Sequence, residues 1–276
     1  MEETSTAKKI IGKELYGYQK DALEEIFKRF KDAPQDYHLL YQLPTGGGKT
    51  VIFSEIVRRY IEIYKKKVLV LTHRIELSKQ TSKMLNEFGV KNKIINSTAV
   101  LDDQDNFNCF VAMVETLKNR LNDEKVDISD IGLVIVDEAH YNSFTKIFKF
   151  FDDSFILGVT ATPLSSNTKL PMYENYQELF VGESIQHLIE NEYLASANMY
   201  SYNVGLTSLE VGANGDYTVK SSEDLYTNTD MLSKLVSAYE ETAKGKKTLI
   251  FNNGINTSIQ VYHAFKRAGY PIAHLD

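Results

Sequence analysis

Eight consecutive residues constrain this chain more than any others: Leu43-Pro44-Thr45-Gly46-Gly47-Gly48-Lys49-Thr50. A mostly apolar run over residues 37–43 leads into them and reads as a short buried strand. Residues 51–60 follow, with Val51, Ile52, Ile56, Val57 and Tyr60 at helical spacing. Strand, glycine-rich loop and helix is the context in which a Gly-Lys-Thr ending implies phosphate binding. Three successive glycines have no Cβ, so the backbone can curl and aim several N–H groups at one anion. The helix adds the positive end of its dipole. Lys49 is placed to reach the outer phosphates, and the Thr50 hydroxyl to ligate Mg²⁺. The general pattern G-x-x-x-x-G-K-S/T puts glycine at position 43, where this chain has Leu43. A glycine-rich turn with a solvated lysine is the plainer alternative.

Further strands are predicted where apolar residues run without interruption, as in the buried strands of parallel sheets. Residues 68–72 form one, with His73-Arg74 at its end and a helix from Glu76 to Phe88 stopped by Gly89. Shorter strands are predicted at 93–96 and 109–113, with a helical turn over 116–121. Residues 133–136 deliver Asp137-Glu138-Ala139-His140, and residues 155–159 deliver Thr160-Ala161-Thr162-Pro163. A helix with Ala22, Leu23, Ile26, Phe27 and Phe30 on one face precedes the loop, behind a frayed lead-in at 1–13. Strands alternating with helices imply an α/β fold with a doubly wound parallel sheet. Its candidate functional residues fall after strand carboxyl ends, where such sheets place their ligands. Past Pro163, helices are predicted at 173–180, 184–190, 230–244 and 257–268, and strands at 247–251 and 271–275. The expected domains are residues 1–195 and 196–276, the second being one βαβ unit, too little to cover both faces of a sheet.

Composition narrows the partners. The net charge is −6, so no global basic field advertises nucleic acid, and any such binding must use a local groove. The single cysteine, Cys109, lies in an apolar run, which rules out a disulfide framework or a cysteine-rich metal site and suits a reducing cytoplasm. Met1-Glu2-Glu3-Thr4 is not a signal peptide.

Phosphoryl transfer from ATP to water needs a phosphate cradle, a Mg²⁺ site and a group that positions or deprotonates the water. Gly46 to Thr50 offer the cradle. Asp137 ends an apolar strand as a second Mg²⁺-organising carboxylate, and Glu138 is the adjacent water-activating base. Successive residues leaving a strand point different ways, so the two acids do not share one role. A pair of surface acids is the alternative.

The loop at 43–50, Asp137-Glu138-Ala139-His140 and Thr160-Ala161-Thr162, in this order, resemble the motor core of superfamily 2 helicases and translocases. The DEAH spelling and His73-Arg74-x-Glu76-Leu77-x-x-Gln80 are similar to the branch of restriction-enzyme motor subunits and DNA-repair helicases. The resemblance implies two RecA-like domains with ATP and Mg²⁺ in the cleft between them. It implies adenine contact by Gln19 with Tyr16 or Tyr18 stacking nearby, and phosphate contact by Thr45, Gly46, Gly47, Gly48, Lys49 and Thr50. It further implies coupling of the nucleotide to nucleic acid, DNA favoured over RNA, through His140, Thr160 and Thr162. Arg74 and Thr116 would touch nucleic-acid phosphates. A helix-start salt bridge is the alternative for Arg74, a helix-surface glutamine for Gln19, and strand-end hydrogen bonding for His140, Thr160 and Thr162. The family's late Gln-x-x-Gly-Arg-x-x-Arg segment has no counterpart here, and Arg267 is the only arginine after Arg120. The expectation is therefore a motor that lacks the rest of its C-terminal domain. A nucleotide-binding regulatory module without turnover and a small-molecule kinase are the competing classes.

Overall fold

A computed structural model describes residues 13–34, 36–97, 104–122, 130–167, 169–212 and 215–275. The chain divides into two compact units at Ser196/Ala197.

The first unit is built on one seven-stranded sheet. In chain order its elements are α1 (Gly17–Asp32), β1 (His38–Gln42), α2 (Lys49–Tyr64), β2 (Lys67–Thr72), α3 (Ile75–Glu87), β3 (Asn92–Ile95), β4 (Cys109–Met113), α4 (Val114–Asn122), β5 (Ile131–Asp137), α5 (Thr145–Phe148), β6 (Phe155–Thr160), β7 (Glu178–Val181) and α6 (Ile185–Glu190). The strand order is β3-β4-β2-β5-β6-β1-β7, and every pair is parallel. All carboxyl ends therefore meet one edge, where the loops after β1, β2, β5 and β6 gather. β5 is buried at all seven positions and β6 at all six, because helices cover both faces. One face packs Leu39, Tyr41, Val70 and Ile135 against Ile26, Phe53 and Ile56; the other packs Leu71, Val134 and Ile156 against Leu117, Phe144 and Ile147. The core thiol of Cys109 is fully buried.

The helix expected at 173–180 is not one. A single 3-10 turn, Met172–Glu174, leads to edge strand β7. The burial along β7 alternates half-buried and exposed, the period of a strand, and β1 needs a hydrogen-bonding neighbour on the side away from β6. Arg29 fastens the strand to α1, with its guanidinium 2.6 Å from Glu178 Oε1 and its cation 4.8 Å over the Phe180 ring.

The second unit contains α7 (Val219–Tyr226), α8 (Thr229–Thr242) and α9 (Ile255–Arg267). The strands expected at 247–251 and 271–275 are not formed among the described residues, and no second sheet is seen there. A parallel strand needs a partner for its backbone groups. Here Leu249 and Phe251 stay in water instead, 80% and 91% exposed, while Ile250 is partly buried against a small core. The small core is Leu232, Val261 and Phe265, with Tyr239 and Tyr270 packed beside it.

Candidate active site

The glycine-rich loop is held from several directions. Gly46 and Gly48 have φ of 85° and 84°, a left-handed backbone that a side chain disfavours. A Cβ on Gly48 would lie 2.5 Å from Gln19 Nε2, and one on Gly46 2.7 Å from a Leu194 methyl. Inside the loop the Gly47 N–H donates to Pro44 O at 3.0 Å and Lys49 Nζ to Leu43 O at 3.4 Å. From α1, Tyr18 OH donates to Gly47 O at 2.8 Å. The Gln19 amide donates to Gly47 O and to Tyr18 OH, both at 3.3 Å, and its Oε1 accepts the Tyr16 N–H at 3.0 Å. Leu43 explains its own departure from glycine. Its side chain is fully buried beneath the loop, with Cγ 2.8 Å from where a Gly47 Cβ would stand. Its N–H donates to Thr160 O at 3.0 Å, fastening the loop to β6. Lys49 and Thr50 open α2, whose first N–H groups have no partner within the helix.

β5 delivers Asp137, 7% exposed, which accepts the Glu138 N–H at 3.0 Å. Burial pushes its carboxyl up to about 6, and the Glu138 charge adds to this; Lys49 and the Glu138 N–H oppose it. Glu138 has φ 52°, a left-handed conformation that costs a non-glycine residue about 1–3 kcal/mol and persists only where surroundings enforce it. The enforcing bonds are Ala139 N–H to Val159 O at 3.0 Å and Tyr141 N–H to Glu138 O at 3.1 Å. His140 Nδ1 lies 3.0 Å from Thr160 Oγ1 and 3.5 Å from Glu138 Oε2. The Thr160 hydroxyl donates to Thr162 O at 3.0 Å and accepts the Thr162 N–H at 3.2 Å. Its one hydrogen is thereby spent, which makes His140 Nδ1–H the donor of that pair. Glu138, His140, Thr160 and Thr162 thus form a continuous polar chain beside the loop.

Gln19, the loop and the two strand-end motifs are brought together by these bonds. Thr45 stays exposed at the loop's rim. Arg74 and Thr116 stand apart from the network, Arg74 exposed just before α3 and Thr116 half-buried on α4. Arg74 makes no ion pair among the described residues, so the helix-start salt bridge is not formed there. Several contacts carry no signal in the local sequence. The His73 ring lies 4.4 Å from Tyr141, whose ring is 4.3 Å from His140. Burial holds the His73 imidazole below its usual range. Tyr193 packs on Tyr16 at 4.7 Å and Tyr18 at 5.0 Å, and Leu194 covers Gly46. Both arrive by the turn that ends α6, where Glu192 takes φ 60° and the N–H groups of Tyr193 and Leu194 share Leu188 O.

A parallel sheet whose first strand feeds a glycine-rich loop into a helix, with an acidic pair ending a central strand, is a RecA-like core of the superfamily 2 helicase type. The family described as Type III restriction enzyme, res subunit, matches residues 12–165, and the chain belongs to it. A 51.5 kDa protein of a Lactococcus phage is 30% identical over 241 residues, 86% of this chain and 48% of that protein. The ATP-dependent DNA helicase MPH1 of Saccharomyces cerevisiae is 30% identical over 145 residues, 46% of this chain and 14% of that protein. The chain thus spans about half the length of the phage relative and much less of the yeast one. The Pyrococcus furiosus Hef helicase domain superposes with a TM-score of 0.53 at 19% identity, covering 92% of this chain and 54% of that one, which shows the fold.

Family membership implies ATP and Mg²⁺. The residues present fit that ion: Thr50 and Asp137 line one cleft of about 380 Å³ beside α3. A hydroxyl and a carboxylate are the hard oxygen donors Mg²⁺ takes alongside nucleotide phosphates. A buried carboxyl raised toward neutrality is one that a cation would return to its charged form.

Proposed function

We propose that this chain is the ATP-binding part of a nucleic-acid helicase or translocase of the DEAH spelling, acting on DNA in preference to RNA. The observation that carries the reading is the polar chain from Glu138 through His140 and Thr160 to Thr162, set beside a loop that Thr160 itself anchors. In this reading Gly46 to Thr50 cradle the phosphates, with Thr45 at the rim. Thr50 and Asp137 hold Mg²⁺, which neutralises charge on the phosphate oxygens when bound. Glu138 accepts the proton of the attacking water, its carboxylate lying 3.5 Å from His140 Nδ1. The products are ADP and phosphate. His140, Thr160 and Thr162 report the nucleotide's state to the nucleic-acid groove, where Arg74 and Thr116 meet phosphates.

Residues 1–195 form the ATP-binding domain in this account, and residues 196–276 open a second motor domain. The yeast relative is named a DNA helicase, which supports the choice of DNA. Lys49→Ala tests the site: calorimetry should show Mg-ATP binding lost, and unchanged affinity would sink the assignment.

A further inference from the structure

Two of the three loop glycines are held from α1. Tyr18 and Gln19 donate to Gly47 O, and the Gln19 amide stands where a Gly48 Cβ would. Gly46 has no such tie, and no hydrogen bond reaches its backbone among the described residues. Its φ of 85° is a conformation that glycine enters and leaves at little cost. Within 4 Å of the place of its Cβ, Leu194 is the only neighbour among the described residues, with Cδ2 at 2.7 Å.

Leu194 is itself firmly placed. Between β7 and α6 the Gly182 N–H donates to Gln42 O at 2.9 Å, at the end of the strand that feeds the loop. Ser184 caps α6 by accepting the His187 N–H at 3.1 Å. Leu188 is fully buried, and its carbonyl accepts the N–H groups of Tyr193 and Leu194 at 2.9 and 3.0 Å. The Tyr193 ring rests on Tyr18, whose hydroxyl bonds Gly47 O. One turn therefore touches Gly46 directly and Gly47 through Tyr18, and it lies just before the end of the first unit at Ser196.

We infer that Leu194 is a positioning residue for the phosphate loop: it keeps Gly46 in its left-handed conformation, and it couples occupancy of the loop to the turn through which the chain leaves the first unit. The inference rests on the proposed phosphate site and adds a residue that acts on it from outside the loop and the strand-end motifs. A loop that holds its binding shape for only part of the time binds more weakly in proportion to that fraction. Apolar packing on Gly46 raises the fraction while leaving the loop's N–H groups free for an anion. Linkage makes the effect reciprocal, so an anion that fixes the loop must also steady the turn packed on it.

The test compares the whole chain with Leu194→Ala and Leu194→Met, using calorimetry with Mg-ATP and with Mg-tripolyphosphate and amide hydrogen exchange with and without tripolyphosphate. Leu194→Ala should weaken both ligands by the same factor, about tenfold, and Leu194→Met should restore both. Without ligand, exchange at the Gly47 N–H should be faster in Leu194→Ala while β5 and β6 keep their protection. In wild type, tripolyphosphate should slow exchange at Tyr193 and Leu194, and in Leu194→Ala that slowing should be lost. Tripolyphosphate affinity unchanged in Leu194→Ala would overturn the inference and leave the phosphate site standing. Protection lost throughout β5 and β6 would also overturn it, since the leucine would then support the sheet as a whole. Wild type that binds neither ligand would strike the phosphate site itself, and the inference with it.

Discussion

At the scale of single residues, one backbone torsion sets the two neighbouring acids in different surroundings. Asp137 is still in the sheet, buried and bonded to its neighbour's N–H. Glu138 has turned into the left-handed region, and its carboxylate faces His140 across 3.5 Å. On the proposed reading, Glu138→Gln keeps the shape and removes the base. It should retain Mg-ATP binding and lower single-turnover hydrolysis by about 10²–10⁴, the usual worth of a general base. Equal turnover in the two proteins would mean that another group activates the water. Both acids were legible in the sequence because an uninterrupted apolar run pointed to them. The torsion that separates them was not, because one of the two bonds enforcing it, from Ala139 N–H to Val159 O, reaches across to β6. Gln19 was legible by its position, whereas its hydrogen bonds to Gly47 O and Tyr18 OH depend on the folded loop and were not.

At the scale of elements, β7 is the most instructive strand. Four residues with two exposed apolar side chains, Leu179 and Val181, are a weak signal for any structure. What commits them is a cross-element cluster: Arg29 on α1 and the Tyr37 hydroxyl, both bonded to Glu178. The Arg29 guanidinium, with help from the Tyr37 hydroxyl, holds the Glu178 carboxyl below its usual range against a burial effect that opposes it. A depressed folded-state value means that the stability is present above the unfolded carboxylate range and is lost as pH falls through the folded one. Glu178→Gln should therefore lower stability by about 0.5–1 kcal/mol at pH 7, a modest figure because the pair is partly exposed to solvent. The difference should close below about pH 4. Urea titrations at both pH values check this, and an equal deficit at both would mean that packing rather than charge is responsible. Strands such as β5 and β6 were legible because burial on both faces writes itself as continuous apolar residues. The segments at 247–251 and 271–275 carry the same pattern and form no strand. An apolar run expresses a need for burial, and whether the need is met depends on partners the run does not contain.

At the scale of the whole molecule, the charge that develops on a transferred phosphoryl group needs cations beyond Lys49 and Mg²⁺. An arginine finger is worth about 10³–10⁵ in rate in nucleotide hydrolases. After Glu138 the 276 residues hold only Arg267, which is exposed on α9. The chain by itself should bind ATP and turn it over slowly, with weak and salt-sensitive binding of single-stranded DNA. A steady-state ATPase assay with and without that DNA measures it; brisk stimulated hydrolysis would mean that an arginine arrives from elsewhere, such as a second copy of the chain.

The strand order also imposes a timetable on synthesis. β1, which carries the phosphate loop, is complete at Gln42, yet its two neighbours are β6 and β7, and β7 ends at Val181. At translation rates of about 5–20 residues per second, the strand waits on the order of ten seconds for its partners. Through that interval Leu39, Leu40 and Tyr41 have no sheet to enter, and a ribosome-tethered chain is exposed to chaperones and to misassembly at its most functional stretch. Nascent chains arrested before residue 155 should be cut by protease around β1, and chains arrested well past residue 196 should resist; early resistance would mean that the loop's strand finds a provisional partner first.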